Sequence, residues 1–325
     1  MEYVVGEQQV SIFLVRRDGI FTASVPITRR TLTSRVDLMR GLLARAGTDD
    51  WVSPAFALSQ VLLAPLQRNA RLRGVKRLYV VPHGVLNYVP FAALPDRRGA
   101  SRKLLVDRFV VSVLPAASLL SVEQPALQSS GLLAMAPARS HLRYAQQEAA
   151  SVAATMKQAT HAYGGLATET LFKRTAANYS FLHLATHGRL NRYTPLLSEL
   201  ELQPDAENDG RLQVYEVLGL DLHARLVTLS ACETALGSGY FTDIPAGDEF
   251  VSLTRAFLAA GSRAVVASLW AVDDRSTSEL MGDFYRNLGS SGPAEALARA
   301  QRGMRHSSRY GHPFFWAAFV VSGND

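Results

Sequence analysis

Cysteine is nearly absent from this 325-residue chain, which contains only Cys232. A single cysteine excludes an internal disulfide framework and also excludes a cysteine-rich zinc site. Cys232 is therefore either a small packing residue or a chemically reactive group.

Long hydrophobic runs are missing as well. The longest apolar stretches, such as 263–272 and 314–321, are too short to cross a bilayer as a helix. The N-terminus carries early charged residues among apolar ones and lacks the pattern of a secretory leader. We therefore expect a cytoplasmic protein with no membrane partner.

Lysine is scarce, since only four of the 34 basic residues are lysines, and the arginines form no dense run. The formal net charge is +6, but a nucleic-acid groove needs basic side chains clustered on one surface. No direct nucleic-acid binding is expected. Hydrophobic residues make up 48% of the chain and charged residues 19%, which is typical of a packed protein of one or two domains.

The N-terminal part of the chain mixes strand and helix patterns. Two alternating segments, 10–15 and 20–26, are joined by Asp18-Gly19, a dipeptide typical of tight hairpins. The next patterns along the chain predict helices over 29–71 with an interruption at Ser53-Pro54, a strand at 77–81, a strand pair within 104–114 and a connector at 118–130. We place a domain boundary at this connector, which divides the chain into 1–130 and 131–325.

From Gly131 onward, short apolar segments alternate with helical patterns. This alternation predicts a mostly parallel sheet covered by helices on both faces. The predicted strands are 131–136, 161–163, 180–186, 225–230, 264–270 and 315–321, and the predicted helices are 145–158, 169–177, 248–260, 275–288 and 293–306. The fold class is therefore α/β, with a doubly wound sheet of about six strands.

Two of these strands end in residues that can carry chemistry. His187-Gly188 follows the apolar segment 181–186, and Cys232 follows the segment 226–231. Ligands bind at the carboxyl ends of strands in an open α/β sheet, so the two residues meet if their strands are neighbours. An imidazole beside a thiol lowers the pKa of the thiol and protonates the leaving group. The N–H groups of Gly188 and Cys232 are then placed to stabilise an oxyanion.

Plainer interpretations stay open for these residues. A cysteine beside an apolar strand is often buried packing, and a histidine at a strand end is often structural. His183 and His187 share one side of the pleat, but no third ligand accompanies them, so no metal is expected. His83 has no cysteine nearby and is interpreted as part of a structural turn. A serine hydrolase using Ser230 or Ser238 would lack the strained nucleophile turn.

Several blocks of the sequence resemble the signature blocks of the CHAT domain family. The strongest are His183–Gly188, Leu229–Ala235, Arg255–Gly261 and Val266–Asp274, and the segments 78–94 and 315–323 are also similar to family blocks. The resemblance implies a caspase-like fold related to those of caspases, separases and gingipains. It further implies a degenerate caspase-like subdomain at 1–130 and an active protease subdomain at 131–325. In that scheme His187 is the catalytic histidine and Cys232 the nucleophile.

Acidic residues near the predicted site have two interpretations. Asp248-Glu249 and Asp273-Asp274 stand at helix starts, where carboxylates cap free N–H groups. The resemblance implies that a caspase-like fold builds its specificity pocket in this region. Asp273 or Glu249 would then select a basic substrate residue, with Trp270 as an apolar wall of the pocket.

The resemblance leads to one functional hypothesis and one rival. The hypothesis is a CHAT-type cysteine endopeptidase that cleaves intracellular protein targets without a cofactor. Relatives usually carry tetratricopeptide repeats, so activation is expected from a protein partner or from a repeat region outside this chain. The rival is a catalytically idle CHAT scaffold or interaction module in a multi-protein assembly. The presence of both His187 and Cys232 favours the peptidase.

Overall fold

A computed structural model describes residues 1–68, 71–96, 103–121, 129–140, 142–191, 193–230 and 248–324. The helices in these ranges are α1 (Arg29–Leu43), α2 (Val52–Leu62), α3 (Ala64–Arg68), α4 (Leu105–Arg108), α5 (Ala145–Ala153), α6 (Glu169–Thr175), α7 (Val214–Val217), α8 (Asp248–Ala259), α9 (Asp274–Leu288) and α10 (Pro293–Arg305). The strands are β1 (Glu2–Val5), β2 (Gln9–Arg16), β3 (Gly19–Pro26), β4 (Arg77–Val80), β5 (Val110–Val113), β6 (Leu132–Pro137), β7 (Ala159–Gly164), β8 (Phe181–Ala185), β9 (Gly188–Arg189), β10 (Glu199–Glu201), β11 (Arg211–Gln213), β12 (Leu226–Ser230), β13 (Ala264–Ser268) and β14 (Phe319–Gly323).

The central sheet has eight strands in the order β4-β5-β14-β13-β12-β8-β6-β7. Neighbouring strands are parallel except for β13 and β14, which are antiparallel. Every residue of β6, β12 and β13 is buried, which is the pattern expected of parallel strands covered on both faces. The α/β class and the mostly parallel sheet predicted from the sequence are confirmed.

The chain changes direction across the sheet between β7 and β8. From β6 the chain moves outward to β7, the strand at one edge of the sheet. From β8 it moves in the opposite direction, through β12 to β13. Right-handed crossovers then put α5 on one face and α6 and α8 on the other. Consistent with this, α5 packs against α9, whereas Phe172 of α6 meets Phe257 of α8 with ring centroids 6.4 Å apart. Such a reversal is where open α/β sheets hold their ligands.

A separate antiparallel sheet, β1-β2-β3, is formed by the first 26 residues. The predicted hairpin is confirmed, with Arg16 paired to Gly19 across the turn, and Gly19 has a positive φ of 143°, a backbone conformation that glycine adopts readily. This sheet is attached beside β4, because Tyr3 N–H donates to the Val81 carbonyl over 3.0 Å and Val81 N–H donates to the Met1 carbonyl over 2.7 Å. The His83 Nδ1 atom accepts a 3.1 Å hydrogen bond from Val5 N–H, so this histidine is engaged structurally.

The helical region after the hairpin is interrupted earlier than predicted. The break lies between α1 and α2 and contains Gly47, whose φ is 113°. Pro54, expected at the interruption, is the third residue of α2. Proline is tolerated there because the first N–H groups of a helix have no partner within the helix.

The strand pair predicted within 104–114 is also wrong in part. Asp107 accepts a 2.8 Å hydrogen bond from Leu104 N–H and starts the short helix α4, so that only β5 is a strand. This strand and β4 join the central sheet, which is why it has eight strands rather than six. Residues on both sides of position 130 thus share one sheet, and the division of the chain there remains a prediction.

Crossing a bilayer requires a helix that is both long and apolar. None of the helices within the described ranges meets this requirement.

Candidate active site

The two strands expected to carry the site are direct neighbours. Strands β8 and β12 are parallel, and Ala185 at the end of β8 is paired with Ser230 at the end of β12. The next residue, Thr186, donates its N–H to the Ser230 carbonyl over 3.1 Å. The condition set by the sequence, that the strands preceding His187 and Cys232 be adjacent, is therefore confirmed. Cys232 itself lies outside the described residues.

The backbone at His187 is held between the central sheet and a small second sheet. Strands β9, β10 and β11 form this three-stranded antiparallel sheet. The His187 carbonyl accepts a 2.9 Å hydrogen bond from Glu201 N–H, and the Thr186 hydroxyl donates to the Glu201 carbonyl. The His187 side chain is half-buried. These bonds fix where the imidazole leaves the sheet.

Gly188 is buried and has an N–H group that the small sheet does not use. It pairs with Leu200, one position away from the hydrogen-bonded pair formed by His187 and Glu201. Hydrogen-bonded and non-hydrogen-bonded pairs alternate in an antiparallel ladder, so the N–H of Gly188 points away from β10. The absence of a side chain also allows a substrate carbonyl to approach. The oxyanion role expected for Gly188 remains a prediction that this geometry permits.

The small sheet brings two buried carboxylates close to His187, which the sequence reasoning missed. Glu199 and Glu201 are 7% and 5% exposed and lie on the same face of β10. The guanidinium of Arg189 is 2.6 Å from the Glu201 carboxylate. No sequence signal could have found them, because the three residues of β10 are too few to show a strand period.

Asp273 caps a helix. Its carboxylate accepts a 2.8 Å hydrogen bond from Ser276 N–H at the start of α9. Trp270, the expected pocket wall, is buried and donates its indole N–H to the Phe314 carbonyl over 3.3 Å. The side chain of Glu249, in α8, lies outside the described residues. A specificity role for these three residues remains a prediction.

Asp274 joins two helix starts at the same edge of the sheet. Its carboxylate accepts a 2.8 Å hydrogen bond from the N–H of Tyr144, the residue before α5. Partial burial raises the pKa of Asp274, and the nearby Glu148 charge raises it further. The segments that follow β6 and β13 are thereby connected at the carboxyl ends of these strands.

A buried polar cluster lies beneath the ends of β8 and β12. His183 of β8 is 0% exposed, and its Nε2 atom is 3.0 Å from Oε1 of Glu148, which is 2% exposed. Tyr285 of α9 shares a 2.9 Å hydrogen bond with Thr228 of β12. Burial raises the pKa of the Tyr285 hydroxyl well above its usual range. Glu148 interrupts the apolar stripe of α5, a signal that sequence reasoning could have used.

The spacing of His183 and His187 raises the question of a metal site. Among the described residues no group of three or more His, Cys, Asp or Glu side chains is arranged to hold a metal ion. The partner of His183 is a single carboxylate.

Comparison with known protein families shows to which family the chain belongs. The CHAT domain family model matches residues 52–324, which is most of the chain. The chain belongs to the CHAT domain family. This CHAT domain is also 25% identical to tetratricopeptide repeat protein 28 of Mus musculus over 84% of its length, and 24% identical to the Homo sapiens protein over 96%. It spans 13% and 15% of those two relatives.

Solved structures give the same fold assignment. The CHAT domain is similar to the Saccharomyces cerevisiae separase in its complex with securin, with a TM-score of 0.50, 14% identity, and coverage of 77% of this chain and 15% of that chain. It is similar to the Arg-specific cysteine proteinase gingipain R, with a TM-score of 0.53, 10% identity, and coverage of 82% of this chain and 68% of that chain. The fold is therefore that of the caspase-like cysteine peptidases.

Proposed function

We propose that this CHAT domain is a cysteine endopeptidase that cleaves intracellular proteins, with His187 as the general base and Cys232 as the nucleophile. The observation that carries the proposal is the pairing of Ala185 with Ser230. Each proposed catalytic residue comes two positions after the last residue of its strand. Two parallel strands in register place the residues after their carboxyl ends at the same edge of the sheet.

The proposed reaction is ordinary thiol chemistry. The His187 imidazole takes the proton of the Cys232 thiol, and the thiolate sulfur attacks the scissile carbonyl carbon. The Gly188 N–H donates to the oxyanion of the tetrahedral intermediate, together with the N–H of Cys232. His187 then protonates the leaving amine. Water, activated by the same imidazole, releases the acid product and restores the thiol.

Regulation by a partner is part of the proposal. The curated relatives are tetratricopeptide repeat proteins, and this chain corresponds to a small part of each of them. Separase was solved in complex with securin. We infer that a protein partner or a repeat region controls this CHAT domain as well, so that turnover of generic substrates such as casein is low for the isolated chain. High constitutive turnover of casein would contradict this inference.

Covalent labelling of Cys232 tests the proposed dyad. The protein is treated with a panel of peptide chloromethyl ketones, and the modified cysteine is identified by mass spectrometry. We expect labelling that falls by about 10²–10⁴-fold in His187→Gln, because the thiol then loses its base. Labelling of wild type and variant at the slow rate of an ordinary thiol would instead favour the idle scaffold.

A further inference from the structure

The polar cluster beneath the site is built from two strands and two helices. We call Glu148, His183, Thr228 and Tyr285 the buried quartet. His183 of β8 and Thr228 of β12 are paired in the strand register, and Tyr285 contacts both of them. The Tyr285 ring stands edge-on to the His183 imidazole with centroids 5.3 Å apart. Glu148 completes the set from α5.

The two strand members have the same sequence separation from the proposed dyad. His183 precedes His187 by four residues, and Thr228 precedes Cys232 by four residues. The quartet therefore connects the two strands that lead to the proposed dyad. A shift of β8 against β12 would break the Tyr285–Thr228 hydrogen bond or move the His183 ring from Glu148.

Polar groups at these positions are energetically unfavourable choices for packing alone. His183 lies between the buried Leu182 and Leu184, and Thr228 lies between Val227 and Leu229. Burying a polar side chain costs hydration free energy that an apolar side chain of the same size would not lose. The alignment of His183 Nε2 with Glu148 is too poor for a hydrogen bond, and His183 Nδ1 has no hydrogen-bond partner among the described residues. The polar contact that His183 does have is the 3.0 Å approach of its Nε2 atom to Oε1 of Glu148.

Apolar side chains would fill these positions with a smaller loss of hydration free energy. The quartet is therefore better explained by its effect on the placement of β8 relative to β12. Buried polar groups tolerate few alternative arrangements, because a shift that separates Tyr285 from Thr228 leaves two buried hydroxyl groups without their shared hydrogen bond. We propose that Glu148 and His183, together with Tyr285 and Thr228, are positioning residues that hold β8 against β12 and thereby set the distance between His187 and Cys232. This inference rests on the proposed function, because it assigns the quartet to the same dyad.

The single cysteine gives a readout that needs no substrate. Since Cys232 is the only thiol, the rate of alkylation by iodoacetamide as a function of pH reports its thiolate fraction directly. Glu148→Gln keeps the size of the side chain and replaces the carboxyl group with an amide. We expect the midpoint of the alkylation profile to rise by about one pH unit, and the rate below that midpoint to fall about tenfold.

A matched control separates positioning from general loss of stability. Gln301 of α10 is 3% exposed and donates from Nε2 to the Trp316 and Phe319 carbonyls over 3.1 and 2.9 Å. Gln301→Met breaks buried polar contacts away from β8 and β12. We expect it to lower Tm and leave the alkylation profile unchanged. The double variant Glu148→Gln with His183→Gln places two amide side chains that can hydrogen-bond to each other, and it should recover part of the wild-type midpoint.

Each outcome bears on the inference. If the wild-type profile depends on His187 but is the same in Glu148→Gln, the positioning role is wrong and the dyad stands. If neither Glu148→Gln nor His187→Gln changes an ordinary thiol profile, the proposed function fails and the positioning role fails with it. If Glu148→Gln does not fold, Tyr285→Phe replaces it, because it removes only the hydroxyl that binds Thr228. An unchanged midpoint in that variant would then overturn the inference.

Discussion

Strands β4 and β8 are both followed within four residues by a histidine and a glycine, but the two histidines have different surroundings. His83 is exposed, and its Nδ1 atom accepts the Val5 N–H. His187 is half-buried, and its ring makes no hydrogen bond or ion pair with any described residue. Strand β8 has β12 and β6 beside it, whereas β4 is an edge strand next to β5, and β1 is attached just after it through the bridge between Glu2 and Val81. The same short pattern therefore serves attachment at one edge of the sheet and the proposed chemistry near its middle.

The largest expected effect follows from replacing His187, the histidine assigned to the chemistry. His187→Gln should reduce the rate of Cys232 labelling by about 10²–10⁴-fold, because it removes the proposed base. The Tm should change little, since the side chain is only half-buried. Labelling kinetics and thermal unfolding measured on one preparation check both statements.

His83→Gln is the matched control for that experiment. It should keep the labelling rate within about twofold and cost roughly 1 kcal/mol of stability, because Val5 N–H loses its acceptor. A large loss of labelling in this variant would show that the N-terminal histidine contributes to the site, and the contrast between the two strands would disappear.

Arg40 connects the two regions and gives the next largest effect. It lies in α1, is 8% exposed, and donates to the Leu269 carbonyl over 3.2 Å, next to Trp270. Its guanidinium carbon is 4.2 Å from the centroid of the Tyr88 ring. Arg40→Met should lower the free energy of unfolding by about 2 kcal/mol, because a buried carbonyl loses its donor and the ring loses its cation. Denaturant unfolding measures this loss, and a change below about 0.5 kcal/mol would contradict it.

Asp273 has two proposed roles that one pair of variants separates. Asp273→Ala removes the cap of α9 and should cost about 1 kcal/mol, whereas Asp273→Asn should cost far less because asparagine also caps helices. If Asp273 selects basic substrate residues as well, both variants lose that preference in a positional peptide library. A preference unchanged in Asp273→Asn would leave only the capping role.

Asp37 on α1 gives the smallest effect and a pH dependence. Burial raises its pKa from 3.8 to about 6, and the Arg40 charge opposes that shift. In this window the folded protein holds a proton that the unfolded chain releases, so Asp37 lowers stability progressively as the pH rises from about 4 to about 6. Asp37→Asn should therefore stabilise the protein at pH 7, by roughly 1 kcal/mol or less for a half-buried group, and have no effect at pH 4. Equal changes in Tm at both pH values would be evidence against the raised pKa.

The site could be predicted in part. The apolar segments before His187 and Cys232 indicated two strands, and their carboxyl ends indicated a site. The small sheet with Glu199 and Glu201 was missed because its three strands are two or three residues long, too short for a periodic pattern. The contact of Glu148 with His183 was missed because no pattern in the sequence around Glu148 indicates which distant residue it meets.

By itself the sequence determined local structure: the Asp18-Gly19 hairpin, the buried apolar strands and the cap at Asp273 depend on neighbours within a few residues. Only the tertiary structure decided that β4 and β5 join the central sheet and that β8 pairs with β12. It also decided that Glu148 meets His183. The physical reason is that parallel strands are brought together by crossovers, and buried polar groups find partners across the fold, so neither is encoded in a local period.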